Sequence, residues 1–226
     1  MTVYLPKNNI SYKDKGYWDS RFDSEESYDW LVRFENVAGL LGKYLRPSDR
    51  ILMVNGFSLD TTSHYSLFPL GWMRKFYYNA GFHHITNIDF SEVVIKRMSA
   101  KYSERMPEML WLEADMTKLC DVFEAQSFDV VIDKAAMDAL MCDEGDVWSP
   151  TEAVIEQAHA MCSGITSLLT PQGTFLQISF AQPHFRKRFL LGRGEQASFS
   201  SVYGWSFAYH NISTLALAIS MARSHC

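Results

Sequence analysis

The stretches ITNID (85–89), MLWLEAD (109–115) and SFDVVIDK (127–134) decide the fold, because each is a short apolar run closed at its carboxyl end by an acid: Asp89, Asp115 and Asp133. Helical or polar segments separate the runs. Strands alternating with helices build a parallel sheet, and the ligands of such sheets lie in the crevice outside the carboxyl ends of the strands. A row of acids there can accept hydrogen bonds from ribose hydroxyls and from an adenine amino group. The pattern reads as a nucleoside-binding enzyme.

Upstream of these runs, Arg50 to Val54 is a first strand candidate. Before it, Trp30, Phe34, Val37, Ala38, Leu41 and Leu45 recur at helical spacing and predict a helix over 26–45, stopped by Pro47. Residues 55–71 hold no clean period, and a helix is expected over 72–80, closed by Gly81. Ser91 is placed to cap a helix that buries Val94, Ile95, Met98 and Tyr102.

Downstream, strand three is expected at Met109–Glu113 and strand four at Phe128–Ile132. Ser149-Pro150-Thr151-Glu152 has the form of a capping box with proline at the first helical position. It opens a helix striped by Val154, Ile155, Ala158, Met161, Cys162, Ile165 and Leu169. Pro171-Gln172-Gly173 is expected to turn the chain into strand five, Thr174–Phe180, and Gly204–Tyr209 reads as a sixth strand.

The 226 residues suit one domain with a sizeable core, and no repeat or linker divides them. We read 17–45 as an amino-terminal lid and helix region, 50–180 as the parallel sheet core and 181–226 as an atypical carboxyl-terminal part. A net charge of −5 argues against nucleic acid, whose binders carry clustered basic surface. Cys120, Cys142, Cys162 and Cys226 lie far apart with no CxxC pair, so reduced thiols are expected and structural zinc is not. Neither a signal peptide nor an apolar run of bilayer length is seen, so the expected location is the cytoplasm, off the membrane. The histidines, His184 included, show no metal spacing, and Arg186-Lys187-Arg188 reads as a solvated run.

Taken together, YWDSRF (17–22), YDW (28–30), NIDFSEVVIKRM (87–98), EADMTKL (113–119), SFDVVIDK followed by MDALM (137–141), and AQPHF (181–185) resemble one family. They are similar to the seven-strand, S-adenosylmethionine-dependent methyltransferases that modify elongation factor 1-alpha. The resemblance covers most of the chain. It implies an α/β class I methyltransferase fold, a Rossmann-like three-layer sandwich. It also implies S-adenosylmethionine as cofactor and a protein substrate such as elongation factor 1-alpha, modified at lysine or at the amino terminus.

Carried over by position, the resemblance has Asp89 hold the ribose hydroxyls with Phe90 beside the adenine. Asp115 accepts from the adenine amino group and Met116 touches the ring. Trp18, Phe22 and Trp30 match an aromatic lid, while Asn55 and Lys134 fall at cofactor-contacting positions after strands one and four. Methyl transfer to an amine is an in-line displacement in which positioning supplies much of the acceleration. A lysine must first lose its proton, at about 4–5 kcal/mol at pH 7, and apolar aromatic walls lower that figure. Trp18, Phe22, Trp30 and Trp205 are candidates for such walls, and Asp133 for orienting the amine.

Three places depart from the family pattern. Asn55-Gly56-Phe57-Ser58 stands where a glycine-rich turn is expected, and Gly56 lies 33 residues ahead of Asp89, where related nucleotide folds use about 20. Ala135 and Ala136 replace a glycine–threonine step. Beyond His210 the closing strand of alternating aromatics is absent, so that strand is expected to be altered or missing. A second reading follows: a non-catalytic scaffold that keeps the shell without the cofactor loop. A nicotinamide dehydrogenase is disfavoured, since no GxGxxG follows strand one.

Overall fold

The computed structural model describes residues 8–24, 34–54, 81–143, 145–192, 202–212 and 217–224, with the backbone alone at 24, 34–36, 211–212 and 217–224. Its helices are α1 (Lys15–Ser24), α2 (Phe34–Leu41), α3 (Glu92–Tyr102), α4 (Ala136–Leu140), α5 (Glu152–Leu168) and α6 (Pro183–Leu190). Its strands are β1 (Ile51–Val54), β2 (Ile85–Asp89), β3 (Leu110–Glu113), β4 (Phe128–Lys134), β5 (Gly145–Asp146), β6 (Ser149–Pro150), β7 (Leu169–Ser179), β8 (Trp205–Ile212) and β9 (Leu217–Ser224).

A seven-stranded sheet runs in the order β3-β2-β1-β4-β7-β9-β8. The five strands from β3 to β7 are parallel. β9 is antiparallel to both of its neighbours. In β1 the side chains divide by parity. Ile51 and Met53 join a cluster with Val37 and Leu41 of α2 and with Val94 and Met98 of α3. Leu52 and Val54 join the opposite cluster with Met137 of α4, Ala158 and Met161 of α5, and Phe189 of α6. Both faces of the sheet are therefore covered, which is why the central strands read as unbroken apolar runs.

The closing strand is present as β9. It pairs with β7 from Thr174 opposite Arg223 to Ser179 opposite Ala218. Its sequence, LAISMARS, alternates large and small residues with the period of two that a strand needs, without aromatics. The expectation of an altered strand holds, and that of a missing one is set aside.

Local signals came through unevenly. Ser91 caps α3, its Oγ accepting from Val94 N at 3.4 Å, and Val94, Ile95, Met98 and Tyr102 are all buried. The capping box does not form. Ser149 and Pro150 pair as β6 with β5, Thr151 is the N-cap without a side-chain cap bond, and the helix begins at Glu152. Pairing with Gly145 and Asp146 outcompetes the local cap. Pro171, Gln172 and Gly173 fall inside β7, where the register slips between Phe128 and Val130 of β4. β4 itself runs to Lys134, because Asp133 and Lys134 find partners in Gln177 and Ile178.

The helix expected over 26–45 is described as α2, while 25–33, like 55–80, lies outside the described residues. Gly81 takes φ +86°, the left-handed conformation expected after a helix end. Ala135 takes φ +64° at the position where the resemblance expects glycine. The backbone turn there is retained despite the side chain. Among the described residues no helix is long and apolar enough to cross a membrane.

Candidate active site

β2 is buried along its whole length and delivers Asp89 to the end of the sheet. There the Asp89 carboxylate accepts the Ser91 N–H at 2.9 Å. The Ser91 hydroxyl in turn donates to Asp19 of α1, so the acid is held from two elements. Burial pushes the Asp89 carboxyl up to about 7, with Asp19 adding to the rise and Lys15 pulling against it.

The adjoining strand β3 ends at Glu113, and Ala114 N–H donates to Asp89 O at 3.0 Å, tying the two strand ends together. Asp115 follows in a tight turn. Its Oδ1 accepts the Thr117 N–H at 2.9 Å and the Thr117 hydroxyl at 2.7 Å, while Oδ2 lies 4.0 Å from Lys118 Nζ. That leaves Oδ2 open to a further donor.

Between these ends lies a cavity of about 370 Å³. Its floor is Val54, Ile88, Asp89 and Phe90 from β1, β2 and the residue beyond, and one side is Ala114, Asp115, Met116 and Thr117. Ala139 and Leu140 of α4 and Gln157 of α5 form another side, and Tyr12, Lys13 and Lys15 close it from the amino-terminal segment. Lys15 pairs with Glu113, and Lys13 Nζ lies 3.4 Å from Asp143. The Gln157 side-chain oxygen is buried with no hydrogen-bond partner.

These residues fit the nucleoside half of S-adenosylmethionine. The volume is in the range of small-molecule sites, acids stand at adjoining strand ends, and apolar Ile88, Phe90, Met116 and Leu140 line the space between. The orphaned Gln157 oxygen adds a polar group that protein atoms leave unsatisfied.

The structure thus brings Asp89, Phe90, Asp115 and Met116 together, and leaves other expected site residues elsewhere. Trp18 and Phe22 stack on each other at 5.4 Å in the core under α1, and neither lines the cavity. Trp205 is buried against Phe175 and Tyr203. Tyr12 and Phe90 are the aromatic walls instead. Lys134 is buried beside Ile178, away from the lining. Trp30 and Asn55 lie outside the described residues.

Asp133 is a corrected expectation. It does not face the cavity but accepts Ala136 N–H at 2.6 Å, Met137 N–H at 3.4 Å and Gln177 Nε2 at 3.0 Å, fastening the start of α4. Burial pushes its carboxyl up to about 7, and nearby Asp138 adds to the rise. Arg186 is the other correction. It is buried against Asp138 rather than solvated, while Lys187 and Arg188 are exposed.

Sequence reading missed Tyr12, Lys13, Lys15 and Gln157. Gln157 left a trace, since it interrupts the apolar stripe of α5 between Val154 and Ala158. Nothing in the YKDK run (12–15) singles out its lysines.

A sequence model described as "Methyltransferase domain" matches residues 70–176. EEF1A lysine methyltransferase 4 of Mus musculus is 33% identical over 210 residues, covering 91% of this chain and 76% of that protein. The eEF1A lysine and N-terminal methyltransferase of Homo sapiens is 30% identical over 186 residues, 81% of this chain but 24% of that protein. Among solved structures, a SAM-dependent methyltransferase from Aquifex aeolicus superposes with a TM-score of 0.58 at 10% identity, over 90% of this chain and 97% of its own. TrmN from Thermus thermophilus gives a TM-score of 0.58 at 14% identity, over 92% of this chain and 53% of its own. The two structures share the fold of this chain.

Proposed function

The chain belongs to the eEF1A lysine methyltransferase family, and from that premise we propose that it transfers a methyl group from S-adenosylmethionine to a lysine of eEF1A. An amino-terminal amine is a second acceptor, on the strength of the relative named for both. The observation that carries the reading is the pair Asp89 and Asp115, held at adjoining strand ends over one cavity that Gln157 also lines.

When bound, the cofactor supplies a methyl group already activated by its sulfonium. The chain's own residues do the rest. Asp89 would accept from ribose hydroxyls and Asp115 from the adenine amino group, and Phe90, Met116 and Leu140 would pack against the ring. The thiols of Cys120 and Cys162 suit a reducing compartment, so we place the protein in the cytoplasm.

The test is transfer of radiolabelled methyl from S-adenosylmethionine to purified eEF1A, with the modified residue located by mass spectrometry. Label on a lysine, abolished in Asp89→Ala, is the expected result. Cofactor binding without transfer to any protein acceptor would instead favour the non-catalytic reading, which turns on residues 55–71, outside the described residues.

A further inference from the structure

Beside the cavity stands an aromatic surface that the cofactor reading does not use. After α4 the chain forms the hairpin of β5 and β6, with Val147 and Trp148 at its tip. The Asp146 carboxylate accepts Trp148 N–H at 2.9 Å and sets the turn. From α6, Arg188 donates to Val147 O at 3.3 Å and Trp148 O at 3.1 Å. The indole stacks on His184 at 6.1 Å and 21°, and meets Phe185 edge-on at 5.1 Å and 66°. Despite these contacts Trp148 is 70% exposed, and Phe180 and Val147 are exposed close by in sequence to the same two elements.

The surface is rigidly joined to the cavity wall. Asp138 accepts from the Ser179 hydroxyl at 2.6 Å, Phe180 N–H at 3.2 Å and Arg186 Nε at 2.9 Å, so one buried carboxylate fastens α4, the end of β7 and α6. The next two residues, Ala139 and Leu140, line the cavity. Lys13, another lining residue, pairs with Asp143 just ahead of the hairpin. Asp143 is already paired with Lys13, and Lys187 and Arg188 are exposed on α6, so what this face offers a visitor is its ordered aromatic surface beside the cavity wall. A pre-ordered exposed tryptophan is also the residue type that anchors protein interfaces.

We infer that Trp148, His184 and Phe185 form a docking platform for the lysine-bearing segment of the protein substrate, seated alongside the cavity so that the segment's amine reaches it. The inference rests on the proposed methyl transfer to a protein. Trp148→Ala should raise the KM for eEF1A about tenfold or more with kcat nearly unchanged. Trp148→Phe should recover most of that loss, and Tyr209→Ala, at an exposed aromatic on β8, should change nothing. Calorimetry with S-adenosylmethionine should give the same affinity for wild type and Trp148→Ala, and both should melt alike.

Direct binding of eEF1A to immobilised enzyme, measured without turnover, separates the two ideas. Binding that is weakened by Trp148→Ala supports the platform even if wild type transfers no methyl, an outcome that would overturn the functional reading alone. Active wild type whose KM is indifferent to Trp148→Ala overturns the platform alone, as does wild type that does not bind eEF1A. A dimer in sedimentation that dissociates in Trp148→Ala, with eEF1A kinetics unchanged, assigns the face to a second copy and likewise overturns it.

Discussion

Arg186 closes on Asp138 inside the protein: its Nε and Nη2 each lie 2.9 Å from Asp138 Oδ1, and the two side chains are 4% and 1% exposed. The pair joins α6 to α4 across 48 residues of sequence. Removing one member strands a buried charge, so Arg186→Met should destabilise the protein by about 3–5 kcal/mol. Urea denaturation measures this. The double variant Asp138→Asn with Arg186→Met removes the stranded charge yet keeps a partner for Ser179 and Phe180, so it should recover much of the loss, and a single variant as stable as wild type would show that the pair contributes nothing.

Cofactor binding should depend on pH through Asp89. Its carboxyl is raised to about 7 in the free protein, and ribose hydroxyls donate to the ionised form. Below 7 the acid must therefore shed a proton on binding. Affinity should fall as pH drops below 7, by up to about tenfold per unit, and be flat above it. Calorimetry between pH 5.5 and 8.5 tests this (the range is about one and a half units either side of the midpoint). Asp89→Asn should bind weakly at every pH, with the slope gone.

Gln157 should show opposite effects on stability and on binding. Its side-chain oxygen is buried without a partner, so Gln157→Leu should leave the free protein as stable or more stable, by about 1 kcal/mol. The same change should weaken S-adenosylmethionine by about tenfold, in line with the loss of one buried hydrogen bond. Thermal melts with and without cofactor separate the two effects. A variant that loses stability without cofactor would mean the amide serves the fold instead.

Asp133 should make the protein less stable as pH rises. Its folded value of about 7 lies above the ordinary 3.8. Between those values the folded chain keeps a proton that the unfolded chain has released. The resulting stabilisation is complete below about 4 and gone above about 7. Asp133→Asn keeps an acceptor for Ala136 N–H, and Gln177, whose side-chain oxygen is unpartnered, can turn its amide to match. The variant should melt higher than wild type at pH 8 and not at pH 5, a window chosen about one unit outside the titration on its upper side.

The aromatic residues show where sequence reading lost its grip. Trp18, Phe22 and Trp205 carry the composition of a pocket wall, yet all three are core. An aromatic ring buries the same surface in a core as in a lid, and no local pattern distinguishes them. The acids behaved differently. Asp89 and Asp115 were legible because a polar residue ending an apolar strand has few places to go, and the carboxyl end of a parallel sheet is where ligands lie. Asp133 obeys the same rule and still turns away from the cavity, because Ala136, Met137 and Gln177 present donors to it first.

By itself the sequence determined the parallel strands, the cap at Ser91 and the two acids above the cavity, since short apolar runs and helix caps are written in windows of a few residues. Tertiary structure alone decided which polar groups share the site. Lys13 meets Asp143 from 130 positions away, and Gln157 reaches the cavity only because α5 docks on the sheet. Such pairings follow from how whole elements pack, and no short window contains both partners.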